Sequence, residues 1–308
     1  DTAVAKGEIK GPLHGVPVAL KDIIDLEGVR TTAHSKILLE NVAKSDSFVA
    51  ARLKQAGCVI TGKLSTHEFA LGGPAFDLPF PPARNPWNPE HHPGGSSSGA
   101  GTSVAAGMVP MALGSDTGGS VRNPASCCCI VGIKPTYGRV SRAGVVPLSF
   151  SLDNVGPLTR TVEDNALILH AIAGHDPNDP SSDPRPVPDY TATLRDGVKG
   201  LKIGLIRHFY TEDLQADAEV AASVEATAEL LQSLGAEVRE IRLPPLAQYA
   251  ACNRVILLAE AYAIHQHWLK TRPGDYSATT RRRLLPGAFL TAADYVDGMR
   301  TREKLVAA

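Results

Sequence analysis

The sequence predicts an α/β fold with a mixed, twisted β-sheet core covered by helices on both faces. Three observations predict it. Short apolar runs of strand length alternate with capped, helix-length stretches along the chain. Near its end a strand (Lys202 to Ile206), a helix (about Ala216 to Leu234) and a second strand (Glu237 to Leu243) follow in β-α-β order, which predicts parallel pairing. The 308 residues suffice to bury a full core, as two average domains or one large α/β domain. We read residues 1–308 as a single domain.

Each element has its own signal. Val16 to Leu20 reads as a short buried strand that delivers Lys21 at its end. Ser45 or Asp46 caps a helix running to Gln55, and Gly57 stops it. Cys58 to Ile60 reads as a buried strand ending at Gly62-Lys63, with Lys63 as a surface charge. Prolines at 74, 79, 81, 82, 86, 89 and 93 make that stretch a loop, with His91 and His92 facing solvent. Thr102 to Met108 reads as a helix of small residues, Met111 to Leu113 and Ile130 to Lys134 as strands. Thr161 and Asp164 form a capping box for a helix from Val162 to Ala173, closed by Gly174. His175 to Pro188 is loop, and long helices fill the chain after Pro245.

Composition narrows the function classes. Basic and acidic residues balance at 31 to 32, so no global field draws nucleic acid or an anionic membrane. Arg281-Arg282-Arg283 reads as a solvated helix face. No apolar run approaches the ~18–20 residues of a membrane span. Five cysteines, three of them consecutive at 127 to 129, fit neither a disulfide framework nor a zinc site. They read as small buried thiols in a reducing cytosol, which makes cytoplasmic the expected location.

The chemistry concentrates in PGGSSSGAGTSVAAGMVPMALGSDTGGS, from Pro93 to Ser120. Twice a glycine pair directly precedes a serine, at Gly94-Gly95-Ser96 and Gly118-Gly119-Ser120. Glycine allows backbone N–H groups to converge beside a hydroxyl. One such cluster reads as a flexible loop, but two around the apolar VAAGMVPMAL read as an active site. Gly95 to Gly99 matches G-x-S-x-G formally, yet the prolines before it deny the strand that motif requires. Neither S-x-x-K nor a phosphate-binding G-x-x-x-x-G-K-[ST] occurs. Lys21, turned inward from its strand, loses hydration and falls towards ~7–8, where it can act as a base. Taken alone it would be an ordinary surface lysine.

Together HGVPVALKD, PGGSSSGAGTSVAAG, LGSDTGGSVRNPAS and VGIKPTYGRVS closely resemble the amidase signature family. The resemblance covers roughly Gly11 to Arg160 and is looser beyond. It implies amide hydrolysis by a Ser–cis-Ser–Lys triad, with Ser120 the nucleophile, Ser96 the bridging serine and Lys21 the base. It implies the mixed-sheet fold, and an oxyanion hole in the N–H groups of Thr117, Gly118, Gly119 and Ser120. Ser97 and Ser98 become supporting donors, Asp116 and Arg122 braces of the loop. Cys129 stands where the family pattern has glycine. Family members usually extend further at both ends, so the chain is expected to lack terminal portions of the full fold.

The resulting expectation is a serine hydrolase for a small-molecule amide, or for a carbamate (urethanase) or ester, without a cofactor and with a homodimer allowed. Phe76, Phe80, Trp87, Tyr249, Tyr262 and Trp268 lean that expectation towards an aryl or alkyl amidase. The alternative is the A subunit of a tRNA-dependent amidotransferase, the glutaminase component of a larger assembly. That subunit is associated with glutamine where this chain has Asn123. A third class, a non-catalytic interaction protein, is opposed by the intact Lys21, Ser96 and Ser120.

Overall fold

A computed structural model describes residues 2–308. The chain forms two compact units: the chain up to Thr191 with Leu257–Phe289, and Ala192–Ile256 with Leu290–Ala308.

The first unit is built on a five-stranded mixed sheet of order β2-β1-β3-β5-β4. Its strands are β1 (Pro17–Lys21), β2 (Val59–Leu64), β3 (Met111–Asp116), β4 (Val131–Gly132) and β5 (Asn154–Thr159). β1 runs parallel to β2 and β3, whereas β5 is antiparallel to β3 and β4. Side-chain alternation along β1 sorts the two faces. Val18 and Leu20 join Met111 and Leu113 in the larger core, against Val49 and Leu53 of helix Phe48–Gln55 and Ile168 and Ile172 of helix Val162–Ile172. Each such side chain contributes about 1.5–3 kcal/mol by leaving water. Ala19, Ala112 and Leu158 face the other way, towards Ala100 and Val104 of helix Ser98–Ala105. Small residues on both surfaces let that helix sit close. Lys21 is two residues on from Ala19 and so projects to this tight face.

Several expectations are corrected. Ser47 caps the helix that starts at Phe48, accepting from the Ala50 amide, while Asp46 pairs with Lys54 at 2.6 Å. β2 is half-exposed because it is the edge strand. The helix expected from Thr102 starts at Ser98, so the third serine of the run lies inside a helix. The strand expected over Ile130 to Lys134 shrinks to Val131–Gly132. Thr161 does cap its helix, which ends at Ile172 with Gly174 beyond at φ 138°. Cys127 and Cys129 are exposed, not buried; Cys58, Cys128 and Cys252 are buried. Cys129 takes φ 55°, a left-handed conformation that suits glycine, which accounts for the glycine of the family pattern.

In the second unit β6 (Lys202–Leu205) and β7 (Glu237–Glu240) pair in parallel, as the β-α-β order predicts, but as a separate two-stranded sheet. Helix Ala218–Ser233 connects them, capped by Asp217. Helix Ala292–Ala307 opens with a full capping box of Thr291 and Asp294. Its Gly298 carbonyl lies 3.3 Å from the Cys252 thiol.

Candidate active site

The register of β1 against β3 brings the site together. Leu20 pairs with Leu113, so Lys21 at the end of β1 stands beside the strand that continues into Ser115 and Asp116. The carboxyl ends of parallel strands open at one sheet edge, where ligands of α/β folds bind. Lys21 is fully buried there, and its Nζ donates to Ser96 Oγ at 2.7 Å and to Ser115 Oγ at 2.9 Å. Burial pushes Lys21 down from 10.5 to about 7, against the opposing pull of the Asp153 and Asp116 carboxylates.

Ser96 follows a cis peptide from Gly95 and is 3% exposed. Its carbonyl accepts from the His67 amide and from Thr66 Oγ1, both at 3.0 Å. The two glycines before it answer to close packing. A Cβ on Gly94 would lie 2.6 Å from Pro124 Cα, and one on Gly95 would lie 2.0 Å from the His67 ring. Ser97 ties both serine loops together: its amide donates to the Ser120 carbonyl, and its hydroxyl exchanges hydrogen bonds with the Ser115 backbone, all at 3.2 Å. Ser98, buried, opens its helix.

Ser120 is partly exposed on the loop after β3, and among the described residues its hydroxyl makes no hydrogen bond. Lys21, Ser96 and Ser115 are therefore joined by side chains, whereas Ser120 is joined to them through its backbone. The loop is shaped by Asp116, which is wholly buried. Its carboxylate accepts from the amides of Gly119 (2.8 Å), Val121 (3.1 Å) and Arg122 (3.3 Å), and from the Arg122 guanidinium at 2.9 and 3.0 Å. Burial alone would push this carboxyl up; the guanidinium and the amides outweigh it and hold it below the usual range. The Gly119 N–H, one of four expected in the oxyanion hole, is thus committed to Asp116. Gly119 itself takes φ 121° to turn the loop. Thr117 donates its hydroxyl to Asp153 at 2.5 Å.

Three contributors have no role in the reading of the sequence. Ser115 shares Lys21 with Ser96; the alternation of β3 was the available signal. Asp153 accepts from Thr117 Oγ1 and from the amides of Leu148 and Ser149, and burial raises its carboxyl. Glu260 braces the same segment, accepting from Ser149 Oγ at 2.5 Å and the Ser151 amide at 3.0 Å. Lys63 stays out of the site: it pairs with Asp22 at 3.0 Å and is mostly buried, not the surface charge expected. Beside Ser115 and Asp153 lies a cavity of about 200 Å³, with apolar walls from Ile23, Val145 and Leu148 and with Arg142 and Asp179 among its polar lining.

The model of the family described as Amidase matches residues 1–304. The A subunit of the glutamyl-tRNA(Gln) amidotransferase of Moorella thermoacetica is 45% identical over 315 residues, covering 96% of this chain. The chain spans 64% of that relative's length. Among solved structures, one from a vestigial protein complex that bears on the origins of an s-triazine catabolic enzyme superposes with a TM-score of 0.90 at 38% identity, covering 100% of this chain and 67% of that one. The peptide amidase of Stenotrophomonas maltophilia gives a TM-score of 0.82 at 32% identity, over 96% of this chain and 66% of that one.

Proposed function

The chain belongs to the amidase family, and from that premise we propose that it cleaves the C–N bond of an amide through an acyl-enzyme on Ser120. The observation that carries this reading is the buried Lys21, held 2.7 Å from Ser96 and lowered to about 7. Neutral Lys21 takes the Ser96 hydroxyl proton while Ser96 takes that of Ser120, and Ser120 Oγ bonds to the carbonyl carbon. The carbonyl oxygen becomes an oxyanion held by amides of the Thr117–Ser120 loop other than that of Gly119; such a donor is typically worth about 3–4 kcal/mol. The relay returns the proton to the leaving nitrogen as the C–N bond breaks. Water, deprotonated by the same relay, then releases the acid.

For the substrate, the amidotransferase reading has more support than the aryl or alkyl amidase with urethanase activity to which the aromatic residues point. The relative at 45% identity is an amidotransferase component, and the peptide amidase is only 32% identical. On this reading the substrate is a primary carboxamide such as glutamine, the product is ammonia, and the partners are the other components of an amidotransferase. Ammonia release from glutamine, with and without those components, is compared with hydrolysis of anilides and aryl carbamates. Activity on anilides or carbamates with none on glutamine rejects the amidotransferase reading.

A further inference from the structure

A proton can pass from Ser120 to Ser96 only if the loops carrying them keep their relative placement. Besides Ser97, Asn123 touches both loops. The Asn123 amide donates to the Gly119 carbonyl at 2.6 Å, one residue before the nucleophile. Its side-chain Oδ1 accepts from the Gly95 amide at 2.9 Å, one residue before Ser96. Its Nδ2 lies 3.8 Å from the Cys127 sulfur, consistent with the oxygen being the end turned to Gly95.

Packing supports the same contact. A Cβ on Gly94 would stand 2.9 Å from Asn123 Oδ1 as well as 2.6 Å from Pro124. On the far side His67 closes on Gly95, and the Ser96 carbonyl is fixed by His67 and Thr66. The Gly94-Gly95 segment is thus clasped between Asn123-Pro124 and His67. Of these groups, only the Asn123 side chain grips Gly95 while its own backbone grips the nucleophile loop.

We propose that Asn123 is a positioning residue for acyl transfer: its carboxamide oxygen, by holding the Gly95 N–H, sets the Ser96 hydroxyl where it can receive the Ser120 proton. It acts through Gly95 and touches no reacting atom. The inference rests on the serine-relay reading above.

The test is the rate at which a fluorophosphonate probe labels Ser120 in the full-length protein, with kcat, KM and Tm measured alongside. Asn123→Ala removes the acceptor, and labelling and kcat should fall about 10- to 100-fold, the scale of a small misplacement of reacting groups. KM should stay within about twofold, since uniform binding is untouched. Asn123 is exposed, so Tm should hold within a few degrees. Asn123→Asp keeps an acceptor for Gly95 and should recover most of the labelling rate. Wild-type labelling rates in Asn123→Ala, or an Asn123→Asp as slow as Asn123→Ala, overturn the inference and leave the relay standing. A wild-type protein whose Ser120 takes no label overturns the relay, and this inference with it.

Discussion

Lys21 Nζ lies 2.7 Å from Ser96 Oγ, with the lysine fully buried and the serine 3% exposed. A lysine so placed must give up either its proton or its hydration. Burial pushes it down from 10.5 to about 7, so a neutral amine able to accept a proton is populated near neutral pH.

The first prediction is the pH dependence of turnover. With Lys21 at about 7, kcat/KM should rise about tenfold per pH unit below that value and level off above it. Lys21→Ala should lose most activity and the acidic limb with it. An unchanged limb in the variant would mean that another group titrates.

Stability should carry the same signature with a defined sign. Between about 7 and 10.5 the unfolded chain holds a proton on Lys21 that the folded chain does not, so wild-type stability rises with pH across that window. Lys21→Met lacks this dependence. Its stability relative to wild type should therefore grow, by on the order of several kcal/mol, as pH falls from about 10 to about 7. Urea unfolding at the two ends of the window measures it; a difference that does not move with pH refutes the assignment.

Asp116 should be the structural keystone of the loop that carries Ser120. It accepts three amides and a two-pronged guanidinium while wholly buried. Asp116→Ala should cost about 3–5 kcal/mol, because those donors lose their partner. A denaturant midpoint equal to wild type would contradict this.

Gly95 and His67 should be coupled. Gly95→Ala places a Cβ 2.0 Å from the His67 ring, and such overpacking typically costs about 1–3 kcal/mol. The double variant with His67→Ala removes the obstacle, so the two effects should fall short of additivity by at least about 1 kcal/mol. Additive losses in a double-mutant cycle would show that the clash is absorbed elsewhere.

Much of this was legible because the signals are local. The apolar run before Lys21 makes a strand whichever way the rest folds, and Thr161 marks a helix start by accepting the Asp164 amide, although the Asp164 carboxylate takes the Thr161 hydroxyl instead of closing the expected box. The three candidate positions, Lys21, Ser96 and Ser120, were legible through the family resemblance rather than through physics alone, since a lone lysine and two Gly/Ser loops have bland readings. What escaped depends on distance in sequence. Asp153 reaches Thr117 across 36 residues and Glu260 reaches Ser149 across 111. Lys63 looks like a surface charge until Asp22 is found beside it. The edge position of β2 and the separate pairing of β6 with β7 are facts of sheet order, which short apolar runs do not encode. Converging amides are the reason the sequence suggests for the glycine pairs, but Gly94 and Gly95 are needed because Pro124 and His67 leave no room for a Cβ.

The central claim is that Ser120 attacks and that Lys21 drives it through Ser96. Peptide mass mapping of the fluorophosphonate adduct tests it most directly. A single modified residue, Ser120, is expected, with no adduct in Ser120→Ala and sharply slowed labelling in Lys21→Ala. An adduct on Ser96 or Ser97, or a Lys21→Ala protein labelled as fast as wild type, would contradict it.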